Sequence, residues 1–344
     1  MKKLILALFA GILLFSCSQK AEKINRAFYY WKSSSWCIND GEQNIIKDNN
    51  IKRLYIKFFE VEKNDMMGIV PVAKTSLNMY NIDSIDSIEV VPTVYIKNEV
   101  FKDITQGALD TLADNVNFLI GKYSSNYMYR NKVIYEYQMD CDWTPSTKDN
   151  YFYFLKKLKS LSGKKISCTL RLYPYKYPDK MGVPPVDTAM LMCYNLISPL
   201  EDHNRNSIFD ENEFSAYLKT NEVYPLHLDI ALPVFSWVQV YQNNHFTKLL
   251  YTDNLEFKKI LSAQKPLWYS ITKDTVINEF YLRKGDMVKI EEVSPEMLKN
   301  AIQQIKKHVM LDSEITVSLF HLDKQQLSQY SHEDIESFYS NFTE

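Results

Sequence analysis

Eight strand-like runs alternate with helical segments along this chain, and that alternation constrains its fold more than any other feature. The runs are Arg26–Lys32, Ile51–Val61, Ile88–Lys97, Lys132–Thr144, Lys165–Tyr173, Thr188–Asn195, His227–Trp237 and Glu314–His321. Apolar residues at helical spacing mark Asn39–Asn49, Leu109–Tyr123, Lys148–Ser160, Asn212–Lys219, Glu296–His308 and Asp323–Phe342. Strands separated by helices call for a parallel sheet. Eight of them over more than about 250 residues fit a closed (β/α)8 barrel of the TIM type better than an open sheet. The surplus, about 239–293, holds hairpin-like stretches such as Phe280–Ile290 and reads as a β-containing insertion after strand seven. The expected fold class is α/β, with a single barrel over residues 26–344.

The fourth run, KVIYEYQMDCDWT, carries the chemistry. At a period of two, Glu136, Gln138, Asp140 and Asp142 share one face, opposite Tyr135, Tyr137, Met139, Cys141 and Trp143. Polar groups on an interior face are costly without partners or a task. Asp140 and Asp142 would sit about 6.6 Å apart at the strand rise, near the end of the strand where barrels build their sites. Two carboxylates that close raise each other's pKa, so one can keep a proton for acid-assisted chemistry. Anchoring of loops through salt bridges or backbone N–H groups is the competing role. Arg171, on the neighbouring strand, can pair with either aspartate or contact a substrate. Glu136 and Asp229 lie deeper and read as structural acids.

Other chemistries find no support. The chain has eight glycines and no GxGxxG, GxxxxGK, GxSxG or HExxH, which excludes dinucleotide, P-loop, hydrolase-elbow and zincin readings. No CxxC pair suggests zinc, and no cofactor is expected. Cys141, Cys168 and Cys193 fall on apolar strand faces and read as free, buried thiols. Asp202–Glu213 places Asp202, Asn204, Asn206, Asp210 and Glu213 at EF-hand ligand positions, but Ser207 replaces the required glycine. A helix-capped polar loop without metal is the favoured reading.

Two short motifs carry a resemblance. QMDCDW resembles the DxxDxDxE strand-four motif of chitinase-like, family-18-type glycoside hydrolases, and MLMCYN resembles their strand-six motif. The resemblance implies a carbohydrate or glycoconjugate ligand. Asp140 and Asp142 would be the catalytic pair, with Met192, Tyr194 and Asn195 the strand-six set. The chain departs from the pattern at Thr144, where the family carries its acid glutamate, and at Gln138, where it carries glycine. The layout is closest to glycosidase-like barrel lipoproteins of bacteria, which leaves a hydrolase and a non-catalytic glycan-binding or scaffold protein both open. Gln138 and Tyr194 are expected to position the sugar. Trp31, Tyr173, Tyr194 and Trp237, near strand ends, are candidate stacking platforms.

Residues 1–16 pair two lysines with an apolar run too short to span a bilayer, as a secretory signal does. Leu14-Phe15-Ser16-Cys17 resembles a bacterial lipobox, implying cleavage before Cys17, its lipidation, and residues 17–25 as a membrane tether in the cell envelope. The cleaved chain would carry 38 basic and 42 acidic residues, a net −4 that offers nucleic acid no basic footprint.

Overall fold

A computed structural model describes residues 21–32, 35–36, 38–72, 76–77, 88–127, 133–201, 204–220, 222–251, 255–277 and 279–344. The expected signal segment, Cys17, Cys37, Lys132 and Asp202 lie outside them.

The barrel expectation holds. Lys23–Tyr30, Arg53–Asn64, Glu89–Ile96, Glu136–Asp140, Lys165–Arg171, Thr188–Met192, Leu228–Pro233 and Glu314–Phe320 form strands one to eight. Each pairs in parallel with the next, and strand one closes the ring between strands eight and two. Strand two runs on past the barrel wall and folds back against Gly68–Val72 in an antiparallel hairpin. Pro92 opposes Ile56 immediately before a register shift between Lys57 and Phe59, so the missing N–H falls beside a bulge.

Local sequence explains the helices. Asn39 and Glu42 form a capping box for Asp40–Asp48, and Ser331 and Asp334 do the same for His332–Ser340. Ser294 caps Pro295–His308, with proline in the first turn where its missing N–H costs nothing. Gly163 closes Lys148–Ser162 at φ 61°, a left-handed position glycine accepts without strain. The expected closing helix is two pieces, Lys324–Leu327 and His332–Ser340.

The strands end sooner than period-two reading suggests, and this moves several candidate residues. Strand four spans only Glu136–Asp140, so Asp142 lies in the loop beyond it rather than on a shared strand face. Tyr173 belongs to the short helix Leu172–Lys176, and Tyr194 and Asn195 follow strand six. Strand one begins at Lys23, inside the expected tether, and stops before Trp31. Cys141, Trp143 and Tyr194 lie beyond the strand ends yet are buried by loop packing, and loop burial has the same composition as strand burial.

The insertion is a five-stranded antiparallel sheet ordered His245–Leu250, Trp237–Gln242, Met287–Glu291, Trp268–Ile271 and Leu261–Lys265. Val238, Val240, Leu250, Ile271 and Val288 give it an apolar cluster of its own. Trp237 opens this sheet and does not end barrel strand seven. Phe280–Ile290 is no hairpin: Phe280–Leu282 pairs with Thr275–Ile277, whereas Met287–Glu291 joins the main sheet. The three described cysteines are free and buried, as expected.

Candidate functional site

Register carries polar side chains to one level at the C-terminal end of the barrel. Glu60 opposes Tyr95, and Tyr95 opposes Asp140. Asp140 then accepts from Thr169 Oγ1 of strand five at 2.6 Å. Asp140 is only 6% exposed, and burial pushes its carboxyl up to about 6; Arg171 opposes that rise, while Asp142 and Glu60 add to it. Asp142, beyond the strand, has a side chain 47% exposed and meets Arg171 through both oxygens, Nε to Oδ1 at 2.6 Å and Nη2 to Oδ2 at 3.3 Å. The predicted pairing of Arg171 is thus present, with Asp142. Arg171 Nη1 is buried and has no hydrogen-bond partner among the described residues.

Two residues at this level, Glu60 and Tyr95, and one below it, Lys57, escape the sequence reading. Lys57, 1% exposed, donates to Glu60 at 2.6 Å and lies 5.5 Å from the centre of the Trp31 ring. The Tyr95 hydroxyl is pushed up to about 12, first by burial and then by Asp142 and Asp140. A lysine within the apolar strand IKRLYIKFFEV was the available signal; the bulge after it, which sets the level of Glu60, leaves no trace in composition.

The other candidates divide. Tyr194 is buried, its ring 5.9 Å from Phe235 and 5.2 Å from Phe320, with its hydroxyl on Met192 Sδ at 3.6 Å. Burial raises its pKa well above the ordinary tyrosine value, Arg171 opposes, and Asp140 adds to the rise. Trp31 packs on Tyr29 and Phe320 at the rim. Gln138 is fully buried below the mouth, accepting from Tyr29 Oη at 2.7 Å, which removes it from direct sugar contact. Trp237 is 8% exposed, and its indole N–H donates to Glu291, so the ring anchors the insertion instead of offering an open platform. Asn195 is exposed at φ 53°, and its N–H donates to Ile208 O. Tyr173 stays exposed beside the mouth.

Asp142, Thr144, Arg171, Tyr173 and Lys180 line a cleft of about 380 Å³ between the loops after strands four and five. Thr144 is tied into the turn before the next helix: its N–H donates to Thr147 Oγ1 at 3.0 Å, and its hydroxyl lies 3.0 Å from that of Ser146. Glu136 accepts from Ser167 and meets Lys165 at 3.3 Å, while Asp229 accepts the Thr316 N–H at 2.6 Å, so both are structural acids. Asp210 caps its helix and pairs with Arg205 at 2.8 Å, as the helix-capped loop reading expects. Among the described residues no group of three His, Cys, Asp or Glu converges as a metal site. The arrangement supplies carboxylate acceptors, a guanidinium with one free nitrogen, a phenol and aromatic walls, the equipment for a polyhydroxylated ring.

Solved structures match over nearly the whole chain. A chitinase from Chromobacterium violaceum superposes at a TM-score of 0.59 with 9% identity, covering 93% of this chain and 98% of that one. The Bacillus cereus spore cortex-lytic enzyme SleL gives 0.55 at 12%, covering 94% and 75%. YKL-39, solved with chitooligosaccharides, gives 0.50 at 10%, covering 93% and 100%. The fold is that of chitinase-like barrels. Identities this low establish the architecture of the chitinase-like barrel and its distant similarity to those proteins. No family model matches the sequence, and no curated protein does.

Proposed function

We propose that this chitinase-like barrel is a carbohydrate-binding protein that takes an N-acetylated oligosaccharide or related glycoconjugate at its C-terminal mouth. One observation carries the reading: the aspartate that ends strand four and the one in the loop beyond it are both committed, Asp140 to Thr169 and Asp142 to Arg171, beside a threonine where hydrolases of this type place their acid. Both Asp142 oxygens accept from Arg171, so the carboxylate is held by the guanidinium at the cleft. Calorimetric titration with chitooligosaccharides is expected to show saturable binding that Asp140→Ala and Tyr95→Phe each weaken by about tenfold, the scale of one lost hydrogen bond. Absence of saturable binding to any oligosaccharide would refute the proposal.

A second reading, slow hydrolysis with Asp140 as acid, is favoured by its pKa of about 6. A group acting in its protonated form would give a rate that falls as pH rises through about 6, abolished in Asp140→Asn.

The proposal includes a lipid tether at Cys17 that holds the barrel in the bacterial envelope, supported by the sequence Leu14-Phe15-Ser16-Cys17. Labelled fatty acid is expected to enter the wild-type protein and not Cys17→Ser; equal labelling of both would remove the tether.

A further inference from the structure

The flank of the cleft carries a feature that a neutral glycan does not require. Tyr173 and Tyr177 are 37% and 42% exposed, with ring centres 4.8 Å apart. Each has an ammonium against it: Lys180 Nζ lies 5.4 Å from the Tyr173 centroid and donates to its hydroxyl at 2.8 Å, and Lys176 Nζ lies 5.5 Å from that of Tyr177. Lys180 borders both the cleft at Asp142 and a second cavity of about 320 Å³, which also holds Tyr177, Lys176, Lys219, Asp179 and Glu222. None of Lys176, Lys180 and Lys219 pairs with a carboxylate among the described residues, and Lys176 spends one hydrogen on Ala216 O. Three lysines against two carboxylates leave that cavity one positive charge in excess.

We propose that the glycan carries a carboxylate, and that Lys180 and Lys176 seat it beside the Tyr173–Tyr177 pair. This rests on the glycan-binding reading and specifies the substrate class. Sugar C–H faces pack on exposed phenol rings, and an ammonium at the ring edge meets an acidic substituent on the same sugar. Arg171 spends Nε and Nη2 on Asp142 and its Nη1 is buried, so the ammonium groups of Lys176 and Lys180 are the cationic groups on this flank that pair with no carboxylate among the described residues. A hexuronate and a lactyl ether on an amino sugar present the same group.

The test is calorimetric titration, in low and high salt, with oligosaccharides bearing a hexuronate, bearing a lactyl ether, and with each carboxyl reduced to the alcohol. At least one acid form is expected to bind about tenfold tighter than its reduced partner, a preference that salt erodes. The double variant Lys176→Gln/Lys180→Gln should bring that acid form down to the affinity of its reduced partner. Equal affinity for acid and reduced forms, with binding of either saturable, overturns the carboxylate proposal and leaves glycan binding standing. So does an acid preference that survives in the double variant. Failure of every oligosaccharide to bind overturns both.

Discussion

Asp140 is the residue on which chemistry and stability meet. Its carboxyl is raised from the ordinary aspartate value to about 6, burial being the first cause. A raised folded-state pKa stabilises the fold below the unfolded value and loses that contribution as pH rises through about 6. Two units correspond to roughly 3 kcal/mol. Asp140→Asn can still accept from Thr169, so its stability relative to wild type is expected to grow by about that much between acid and neutral pH. Denaturant melts at both pH values check this; a difference independent of pH would mean that Asp140 is not buried as described. Thr144 makes the opposite case. Thr144→Glu places a carboxyl at the cleft rim and is expected to bring reducing-end release above the buffer control, where the wild type shows none. No rise would place the barrier to turnover elsewhere, in the Asp142–Arg171 pair. The positions of Asp140 and Arg171 at the C-terminal end of their strands were legible from period two; that of Asp142 was not, because strand four stops at Asp140. Nor were those of Glu60 and Tyr95, because their level depends on a bulge and on inter-strand stagger.

At the scale of elements, two polar clusters hold the site's frame. Glu291, fully buried, accepts from Ser207 N at 2.8 Å and Gln239 Nε2 at 2.9 Å, takes the Trp237 N–H, and pairs with buried Lys289 at 2.8 Å. It fastens the insertion to the loop after strand six. Glu291→Gln removes a buried carboxylate that Lys289, Trp237, Gln239 and Ser207 all meet and is expected to cost about 3–5 kcal/mol, with early proteolysis inside 237–291. Unchanged stability would make the cluster dispensable. At the other end of the barrel His227 lies 2.5 Å from Asp312 and 3.2 Å from Asp229. Its pKa is raised chiefly by the hydrogen bond to Asp229. The stabilisation is therefore full below the ordinary histidine value and lost as pH rises through the raised one. His227→Gln is expected to flatten that part of the stability profile; a profile identical to wild type would refute the assignment. Strand existence and order were legible because eight apolar alternations recur between helices. Strand ends were not, since Cys141, Trp143 and Tyr194 are buried by loop packing as completely as strand residues. Trp237 was misread for the same reason: LDIALPVFSW runs without a break in pattern from the barrel into the insertion.

Over the whole molecule, the barrel, the insertion and the rim tyrosines surround one mouth whose charges are largely paired before any ligand arrives. The proposed recognition role rests on that pre-pairing, because the fold alone does not fix the function. The most direct measurement follows one sample in two channels: saturable binding of chitooligosaccharides by calorimetry, and reducing ends released over the following hours. The account predicts saturable binding that Asp140→Ala weakens about tenfold, with no release above the buffer control. Multiple turnovers by the wild type, abolished in Asp142→Asn, would contradict it.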